Sequence, residues 1–479
     1  MGSMYPAVAS GSRCGGIAVT TRARVLWVLS ILAAVIPTVA TPMVRAEPNG
    51  GTTAVNSVVL FVDDLGWADL AYRLSDLPTP NIDRLRAEGM TFVNAYAASP
   101  TCSPSRATML TGRSAARLRL ARHIPHNATG AFHTIESDPA RFPSRNWLPL
   151  EERTFAEALR DRGYRTAFVG KWHLGPEAYF PIHQGFDEQH GVTDRGQPRS
   201  YYPSFFGPDV ETYADGEVGA YLTDRMTDDA IGFLERQSEA TPFHLSVFYY
   251  AVHTPHVGRR DLVARLAEST DLEGAELEHA AMLLAVDESV GRARSVLERK
   301  GLSQDTLLLF VGDQGGPFDN SPLRGQKMGG TALYEGGSRV PFVAVWPGHI
   351  PGGTVVAAPG TTEDVFPTLV EASGVNDSDG GEVDGESLMP LLTGSGSLRR
   401  DQVVLYRSYE SRYAAIRVGD WKLIAYRDGR SELYDLGADP SESEDVGDAH
   451  SATRRDLIDR LVAWERRMGV EAFTPPFDR

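Results

Sequence analysis

The chain has 479 residues, of which 42% are hydrophobic and 23% are charged, and its formal net charge is −16. This composition is typical of a globular protein with one large domain or with a large and a small one, and it excludes a low-complexity chain. The acidity argues against a nucleic-acid partner, which would require a basic surface, and an anionic substrate must therefore be attracted by a local basic site.

The first 46 residues have the pattern of a secretory signal peptide. Two arginines precede a short apolar run at residues 25–36, and the small residues that follow end at Ala46. A positive flank, an apolar core and a small-residue exit are the parts of such a peptide, whereas a disordered extension would leave the apolar run unexplained. We predict a signal peptide and upstream segment at residues 1–46, and a secreted or periplasmic protein that begins near Glu47. No later apolar run is long enough to span a bilayer.

Cysteine and lysine are both scarce. Of the two cysteines, Cys14 lies in the predicted signal segment, so the mature chain holds only Cys102 and forms no internal disulfide. A lone thiol in an oxidising compartment is a liability, and its presence therefore indicates a specific role. Only four lysines stand against 43 arginines, so a lysine within a motif indicates a need for a compact ammonium group.

Apolar, β-branched runs alternate with helical patterns along residues 47–394. We predict strands at residues 57–62, 164–169, 243–250 and 306–311. Helices are predicted at residues 275–300 and from Thr154, which forms a capping box with Glu157, to Gly163. Strands that alternate with helices predict an α/β fold with a large, mostly parallel, mixed central sheet flanked by helices.

The four predicted strands all end in polar side chains. These are Asp63 and Asp64, then Lys171 and His173, then His253, and finally Asp313 and Gln314. Because ligand sites of such sheets form beyond the carboxyl ends of the strands, we expect these residues to share one site. The carboxylate and amide oxygens suit a hard cation, calcium or magnesium. One Asp-Asp pair alone would favour solvated loop acids, but two pairs that each close a buried strand favour a metal site.

After about residue 394 the pattern changes to short strands joined by tight turns. We predict strands at residues 403–406, 413–417, 422–426 and 432–434, and then a helix at residues 452–468. This pattern indicates a small antiparallel sheet with a terminal helix. We predict a C-terminal subdomain of residues 395–479, packed on a catalytic domain of residues 47–394.

Cys102 lies in a segment that carries several features of an anion site. Pro104 suits the first turn of a helix, which would place Cys102 at the helix N-terminus, where free N–H groups favour anions. Arg106 lies one turn further along and can reach the same anion. Two alternatives stay open on the residues alone: a buried structural cysteine, and a thiolate nucleophile with a neighbouring base.

The segment Cys-Ser-Pro-Ser-Arg at residues 102–106, followed by Thr-Gly-Arg at residues 111–113, resembles the signature of the type I sulfatases in the alkaline-phosphatase-like superfamily. Further blocks match in order: residues 170–175, residues 253–256, and residues 324–327 continuing to 334–337. The resemblance runs from about residue 58 to the C-terminus. It departs from the family at Met109, where leucine is more usual, and at Gln314, where asparagine or histidine is more usual. The second departure puts direct metal ligation by Gln314 in question.

The resemblance implies the alkaline-phosphatase-like fold and sulfatase activity. In such enzymes a maturation enzyme oxidises the motif cysteine to formylglycine, and one hydroxyl of its hydrate attacks the sulfur of a sulfate ester beside a bound Ca²⁺, with Mg²⁺ as the alternative ion. The implied metal ligands are Asp63, Asp64, Asp313, Gln314 and residue 102. The implied catalytic side chains are Arg106 and Lys171 beside the nucleophile, His253 and Lys327 at the sulfate and leaving group, and His173 as the base that releases sulfate.

The expected substrate is a sulfated carbohydrate, with a lean towards galactose-type glycans. Two other functions stay open: a phosphate or phosphonate monoester hydrolase of the same superfamily, and a non-catalytic glycan-binding relative. The sequence leaves undecided the role of His256, that of the stretches at residues 117–147 and 195–206, and the oligomeric state. The aromatic stretch at residues 195–206 either lines a sugar subsite or is a packed loop.

Overall fold

The computed structural model describes residues 54–477, apart from residues 72–73, 75, 137, 209, 214–217, 329 and 376–380. The predicted signal peptide at residues 1–46 lies outside the described residues. Within these described ranges, no helix combines the length and the apolar composition that crossing a bilayer requires.

The described residues form sixteen strands and eleven α-helices. The strands are β1 (Asn56–Val62), β2 (Met90–Phe92), β3 (Ala95–Tyr96), β4 (Phe132–His133), β5 (Ser144–Arg145), β6 (Arg165–Gly170), β7 (Glu188–His190), β8 (Phe243–Phe248), β9 (Thr306–Gly312), β10 (Phe342–Val345), β11 (Thr354–Val356), β12 (Gly360–Thr361), β13 (Gln402–Tyr406), β14 (Arg412–Val418), β15 (Trp421–Tyr426) and β16 (Ser431–Asp435). The helices are α1 (Trp67–Ala71), α2 (Pro80–Glu88), α3 (Cys102–Thr111), α4 (Phe155–Arg160), α5 (Leu222–Glu235), α6 (Arg260–Ser269), α7 (Gly274–Arg299), α8 (Glu335–Ser338), α9 (Val365–Ala372), α10 (Met389–Leu392) and α11 (Ser451–Arg467).

Eight strands form the central sheet, in the order β11-β2-β10-β9-β1-β8-β6-β7. From β9 through β1, β8 and β6 to β7, every neighbouring pair is parallel. β10 runs antiparallel to both β9 and β2, and β11 is parallel to β2. The predicted large, mostly parallel, mixed sheet is confirmed.

The middle of this sheet is buried on both faces, which explains its apolar, β-branched sequences. All seven residues of β1 and all seven of β9 are buried. Val58 and Leu60 of β1 join one buried cluster with α5, α6 and α7, whereas Val59 and Phe61 join another with α3, α4 and α9. Because successive side chains of a strand point to opposite faces, the single run of β1 packs against two helical layers.

The ends of several elements differ slightly from the prediction. α4 begins with the predicted capping box, in which the Glu157 N–H donates to Thr154 Oγ1 at 3.2 Å and the Thr154 N–H donates to Glu157 Oε2 at 2.8 Å. The helix ends at Arg160, and Gly163, with φ 81°, makes the left-handed turn that leads into β6. β8 ends at Phe248, two residues before the predicted end.

The C-terminal region forms a separate four-stranded antiparallel sheet in the order β13-β14-β15-β16. α11 packs on it, and Leu461 and Trp464 of this helix share a buried cluster with Tyr413 and Leu423 of the sheet. The predicted small antiparallel sheet with a terminal helix is confirmed. The subdomain boundary at residue 394 stays a prediction.

Candidate active site

Four strand ends meet at one edge of the central sheet, because β9, β1, β8 and β6 are parallel neighbours. Backbone hydrogen bonds join the loops that leave these strands. Asp63 N–H donates to Ala251 O at 3.0 Å, Asp313 N–H donates to Val62 O at 3.0 Å, and Lys171 N–H donates to Phe248 O at 2.8 Å. The polar residues that the sequence places at separate strand ends therefore lie together.

Four side chains at this edge form a compact group that could hold a metal ion. Asp63, Asp64, Cys102 and His253 are all buried, and one potential ligand atom of each lies within 4.8 Å of those of the other three. Oδ1 of Asp63 is buried and has no hydrogen-bond partner among the described residues. A buried carboxylate oxygen without a partner is costly unless a ligand satisfies it, so this atom fits a cation. The carboxylate oxygens favour a hard ion.

Asp313 and Gln314 contact this group from the end of β9. Oδ1 of Asp313 accepts a hydrogen bond from the Asp64 N–H at 2.8 Å. Nε2 of Gln314 donates to Asp64 Oδ1 at 2.7 Å and to Cys102 Sγ at 3.2 Å. The amide thus reaches the cluster with its nitrogen, and rotation of the amide by half a turn would present Oε1 to the same position.

Three cationic side chains surround the carboxylates. The ammonium groups of Lys171 and Lys327 donate to Oδ2 of Asp63 and Oδ2 of Asp64, respectively. Nη1 of Arg106 donates to the Lys171 carbonyl at 2.8 Å, and its Nη2 lies 3.4 Å from Asp63 Oδ2. Arg106 and Lys171 are completely buried. A local cationic site therefore exists within an acidic chain, as the net charge requires for an anionic substrate.

Cys102 is the first residue of α3, and Pro104 lies in the first turn, as the sequence predicts. Burial raises the pKa of the Cys102 thiol, but the Lys171 ammonium opposes this effect, and the pKa is held well below its usual range. A structural cysteine would instead lie in apolar surroundings, where the thiol is inert. The environment of Cys102 is that of a reactive residue.

The buried acids differ in how readily they ionise. Burial raises the pKa of both Asp63 and Asp313, but Lys171 and Arg106 hold the pKa of Asp63 below its ordinary value. The negative charge of Asp63 adds to burial at Asp313 and keeps its pKa well above the ordinary value. Like charges this close resist ionising together unless a cation compensates them, which again indicates a cation site.

The hydrogen bonds of His173 define its tautomer. Its Nε2 lies 2.9 Å from the carbonyl oxygen of Ile124, which can only accept, so Nε2 carries the proton and Nδ1 carries the lone pair. Nδ1 is buried and has no hydrogen-bond partner among the described residues. Burial lowers the pKa of His173, so the ring is neutral at pH 7 and can accept a proton.

His253 has its backbone hydrogen bond at the other ring nitrogen. Its Nδ1 lies 2.8 Å from the Thr254 carbonyl oxygen and therefore carries a proton, whereas Nε2 lies 3.6 Å from Asp64 Oδ2. Burial lowers the pKa of His253, but the Asp64 carboxylate opposes burial and the pKa is raised above its ordinary value. The imidazolium form, which can donate from Nε2, is thereby favoured.

Two residues at the site have a left-handed backbone. Asp64 has φ 62° and His173 has φ 55°. Such conformations cost about 1–3 kcal/mol for residues other than glycine and are concentrated at functional sites. Asp64 belongs to the cluster, and His173 is close enough to Cys102 to help lower its pKa, so the strained backbone lies at the candidate site.

The stretch at residues 195–206 contacts His173 and His253, and the sequence did not predict these contacts. A Cβ at Gly196 would lie 2.5 Å from Cε1 of His173, so only glycine lets the chain pack on this ring. The Tyr201 hydroxyl donates to the His253 carbonyl at 2.9 Å. Tyr201, Phe205 and Phe206 are buried in the core, which favours a packed loop over a sugar-stacking surface.

His256 contacts aromatic rings outside the cluster of Asp63, Asp64, Cys102 and His253. Its ring centroid lies 5.1 Å from that of Phe318 and 5.5 Å from that of His279. Nε2 of His279 in turn lies 3.2 Å from Oδ2 of Asp69, which accepts a hydrogen bond from the Gly66 N–H at 3.0 Å. These contacts brace the loop that follows Asp64.

Comparisons with known proteins agree with this geometry. The family model described as Sulfatase matches residues 55–375, and the model described as N-sulphoglucosamine sulphohydrolase, C-terminal, matches residues 330–466. The chain is 31% identical over 399 residues to the N-acetylgalactosamine-6-sulfatase of Mus musculus, a match that covers 78% of this chain and 72% of the relative. It is 29% identical to the steryl-sulfatase of Mus musculus, with 81% and 73% covered.

Solved structures show the same fold. The crystal structure of Ps i-CgsB superposes with a TM-score of 0.75 at 26% identity, over 88% of this chain and 94% of that one. The same protein in complex with k-i-k-neocarrahexaose gives a TM-score of 0.73. The phosphonate monoester hydrolase of Agrobacterium radiobacter, at 19% identity and a TM-score of 0.60, shares the fold alone.

Proposed function

We propose that this chain, which belongs to the sulfatase family and is a sulfuric ester hydrolase, removes sulfate from sulfated carbohydrates. The nucleophile in this proposal is formylglycine, made from Cys102 by a separate maturation enzyme, and the assisting ion is Ca²⁺. The observation that carries the proposal is the position of Cys102. It begins α3 beside two buried aspartates, a buried lysine and two histidines that hydrogen-bond the backbone through different ring nitrogens.

Asp63, Asp64, Asp313, residue 102 and, after an amide rotation, Gln314 would hold the cation. The unpartnered Oδ1 of Asp63 and the resisted ionisation of Asp313 support this ligand set. A bound Ca²⁺ would act as a Lewis acid on the sulfate and lower the pKa of the attacking hydroxyl. Mg²⁺ remains the alternative ion, since both prefer oxygen ligands and the cluster supplies mainly oxygens.

Formylglycine supplies a hydrated aldehyde, whose two hydroxyl groups provide first an attacking oxygen and later a proton whose removal expels sulfate. Arg106 and Lys171 are buried within reach of the same region and would stabilise negative charge there. His173, neutral and with a free Nδ1 lone pair, fits the acceptor of the second hydroxyl proton.

The protonation of the leaving group falls to His253 and Lys327. The raised pKa of His253 favours a proton on Nε2. This proton can be transferred to the alkoxide that leaves the sulfur. Burial lowers the pKa of Lys327, but the Asp64 carboxylate raises it above the ordinary value, so its ammonium stays charged and can bind a sulfate oxygen. The two side chains share Oδ2 of Asp64 as their anionic neighbour.

The substrate class rests on the relatives. One is named N-acetylgalactosamine-6-sulfatase, and a structural neighbour was solved with a bound k-i-k-neocarrahexaose. Both names refer to carbohydrates, and the first refers to a galactose-type sugar. We therefore propose a sulfated glycan or oligosaccharide, with galactose-type residues first in any screen.

The first experiment is mass spectrometry of the peptide that contains Cys102, from protein co-expressed with a maturation enzyme. Conversion of the thiol to the aldehyde lowers the peptide mass by about 18 Da. A control sulfatase matured in the same cells shows that the enzyme is active. If Cys102 stays a thiol while the control is converted, the formylglycine mechanism fails and a binding protein on an enzyme fold becomes the better explanation.

A second experiment separates sulfatase from phosphatase chemistry. The matured protein is assayed on 4-nitrophenyl sulfate and 4-nitrophenyl phosphate at equal concentration. We expect the sulfate to have the higher kcat/KM. A higher value for the phosphate would assign the chain to phosphate or phosphonate monoester hydrolysis.

Export is proposed from residues 1–46 alone. N-terminal sequencing of protein from the culture medium or periplasm of a bacterial host tests it, and we expect the mature chain to begin near Glu47. Retention of residues 1–46 in the cytoplasmic fraction would contradict it.

A further inference from the structure

A group of cationic and aromatic side chains lies near Cys102. It combines Arg122 and His123, from the stretch at residues 117–147, with Tyr409, from the turn between β13 and β14. The Tyr409 hydroxyl lies 3.1 Å from Oγ1 of Thr101, the residue that precedes Cys102. The ring of Tyr409 meets that of His123 edge to face, with centroids 6.5 Å apart.

The segment that carries Arg122 and His123 is fixed to the catalytic residues. The Ile124 N–H donates to Ser103 Oγ at 3.0 Å, and the Ile124 carbonyl accepts the hydrogen bond from His173 Nε2 at 2.9 Å. Burial lowers the pKa of His123 to about 4, and the Cys102 thiolate opposes this shift. The imidazole is therefore neutral at pH 7 and lies within electrostatic range of residue 102.

The two arginines at Tyr409 differ in their partners. The guanidinium carbons of Arg407 and Arg122 lie 4.8 and 5.5 Å from the Tyr409 ring centroid. Arg407 pairs with Glu410 at 3.2 Å and donates to the Pro100 carbonyl. Arg122 forms no ion pair with any carboxylate of the described residues. The buried Nε atoms of both arginines have no hydrogen-bond partner there, so the two differ in the ion pair and in the hydrogen bond to Pro100. Desolvation favours pairing of a half-buried arginine, so Arg122 can gain an anionic partner. Its contact with Tyr409, next to the residue that precedes Cys102, distinguishes it from other arginines without a carboxylate partner, such as Arg225.

We infer that Arg122, supported by Tyr409 and His123, binds a second anionic group of the substrate, on or next to the sugar that carries the scissile sulfate. This inference rests on the proposed function, because it assigns a substrate contact next to the same site. A guanidinium binds carboxylates and sulfates through paired N–H groups, so the second group is either another sulfate or the carboxylate of a uronic acid. The substrate would thus carry at least two negative charges close together.

The test compares three substrates of the matured holoenzyme: galactose 6-sulfate, galactose 4,6-disulfate, and a disaccharide of glucuronate linked to galactosamine 6-sulfate. We expect at least one of the doubly charged substrates to exceed galactose 6-sulfate in kcat/KM by about tenfold or more, since hydrogen bonds between charged groups discriminate at this level. Which of the two is preferred distinguishes a sulfate from a carboxylate as the second anion.

Arg122→Gln is then compared with Arg122→Lys and with Arg160→Gln, which removes the same charge from an exposed position on α4. We expect Arg122→Gln to erase the preference for the doubly charged substrate mainly through KM, Arg122→Lys to retain part of it, and Arg160→Gln to retain all of it. Thermal unfolding curves of the three variants identify any that fail to fold, and Arg122→Lys then carries the comparison.

The inference is overturned if the wild-type enzyme shows no preference for either doubly charged substrate, or if Arg122→Gln lowers kcat/KM for all three substrates by the same factor. Failure of the proposed function has a different signature. In that case the matured wild-type protein would hydrolyse neither 4-nitrophenyl sulfate nor any of the three sugars.

Discussion

Among the described residues, one buried cluster of charged side chains lies at the carboxyl edge of the central sheet and another lies around Lys422 of β15. Nζ of Lys422 donates to Glu335 Oε1 at 2.7 Å and lies 2.9 Å from Glu442 Oε1. The other oxygen of Glu335 accepts hydrogen bonds from the Tyr96 hydroxyl, at 2.8 Å, and from Arg339. This second cluster joins the C-terminal sheet to α8 and β3.

The clusters differ in what is left unsatisfied. Both oxygens of Glu335 accept hydrogen bonds. Oδ1 of Asp63 and Oε1 of Glu442 accept none from the described residues, but the Lys422 ammonium lies 2.9 Å from Glu442 Oε1. Each cluster contains a left-handed residue, Asp64 in the first and Glu442, with φ 52°, in the second, but only the first of the two combines it with Cys102 and the free lone pair of His173. Burial of charge therefore does not by itself mark a reactive site. What marks the active-site cluster is a potential nucleophile, Cys102, and a free imidazole lone pair beside the buried carboxylates.

The largest expected effect is that of Cys102→Ala. It removes the nucleophile, so kcat/KM for 4-nitrophenyl sulfate should fall by about 10⁴-fold or more, while the melting temperature changes by no more than a few degrees. Activity assays and thermal unfolding on the same preparations check both parts. Residual activity within tenfold of the wild type would show that residue 102 is not the nucleophile.

Chelation should have the second-largest effect, and it should act on the active-site cluster rather than on the cluster around Lys422. Removal of Ca²⁺ with EDTA should lower kcat by about 10³-fold, since a Lewis acid contributes several kcal/mol to such transition states. Added Ca²⁺ should restore activity, and binding should raise the melting temperature because the ion binds only the folded state. The measurement pairs activity with metal analysis by emission spectroscopy. Full activity in protein shown to be free of metal would contradict the cation site.

Lys422→Met should lower stability and leave activity unchanged, the converse of the effect expected for Cys102→Ala. It leaves Glu335 and Glu442 buried without their shared ammonium, and breaking such a pair costs about 3 kcal/mol or more in the free energy of unfolding. The matched control is Lys300→Met, because Lys300 is partly exposed and, among the described residues, donates to the Glu235 carbonyl rather than to a carboxylate.

Urea unfolding measures the stability of both lysine variants, and activity at 25 °C measures their function. We expect kcat to stay at the wild-type value in both, since Lys422 lies outside the active site. Equal stabilities of the two variants would show that the cluster around Lys422 is not structural.

The smallest effect concerns pH. Burial, with the charge of Glu335, raises the pKa of Glu442 from 4.5 to about 7, although Lys422 opposes the shift. The folded state therefore binds more protons than the unfolded state between about pH 4.5 and 7, so this group's contribution to stability falls as the pH rises through that window and is constant above it. Glu442→Gln keeps an acceptor for the Glu335 N–H.

We expect Glu442→Gln to flatten the decrease in stability between pH 5 and 8 and to be the more stable protein at pH 8, by about 1 kcal/mol. Melting temperatures of the variant and the wild type across this range check the prediction. Parallel curves would mean that Glu442 is already ionised at pH 5.

The sequence by itself determined the class of fold and indicated that the polar residues at the strand ends lie close together. Apolar runs that end in acids, a lysine and histidines predict parallel strands whose ends meet, because strand period and burial are local properties of the chain. The position of Cys102 at the start of α3 likewise followed from Pro104 and the residues around it.

Only the tertiary structure decided which partners these residues have. The proton on Nε2 of His173 depends on Ile124, 49 positions away, and Tyr409 reaches Thr101 across 308 positions. Lys422 looks like Lys300 in the sequence, yet one is buried between two glutamates and the other lies at the surface. No spacing in the sequence predicts such contacts, because they depend on which loops the packed sheets bring together.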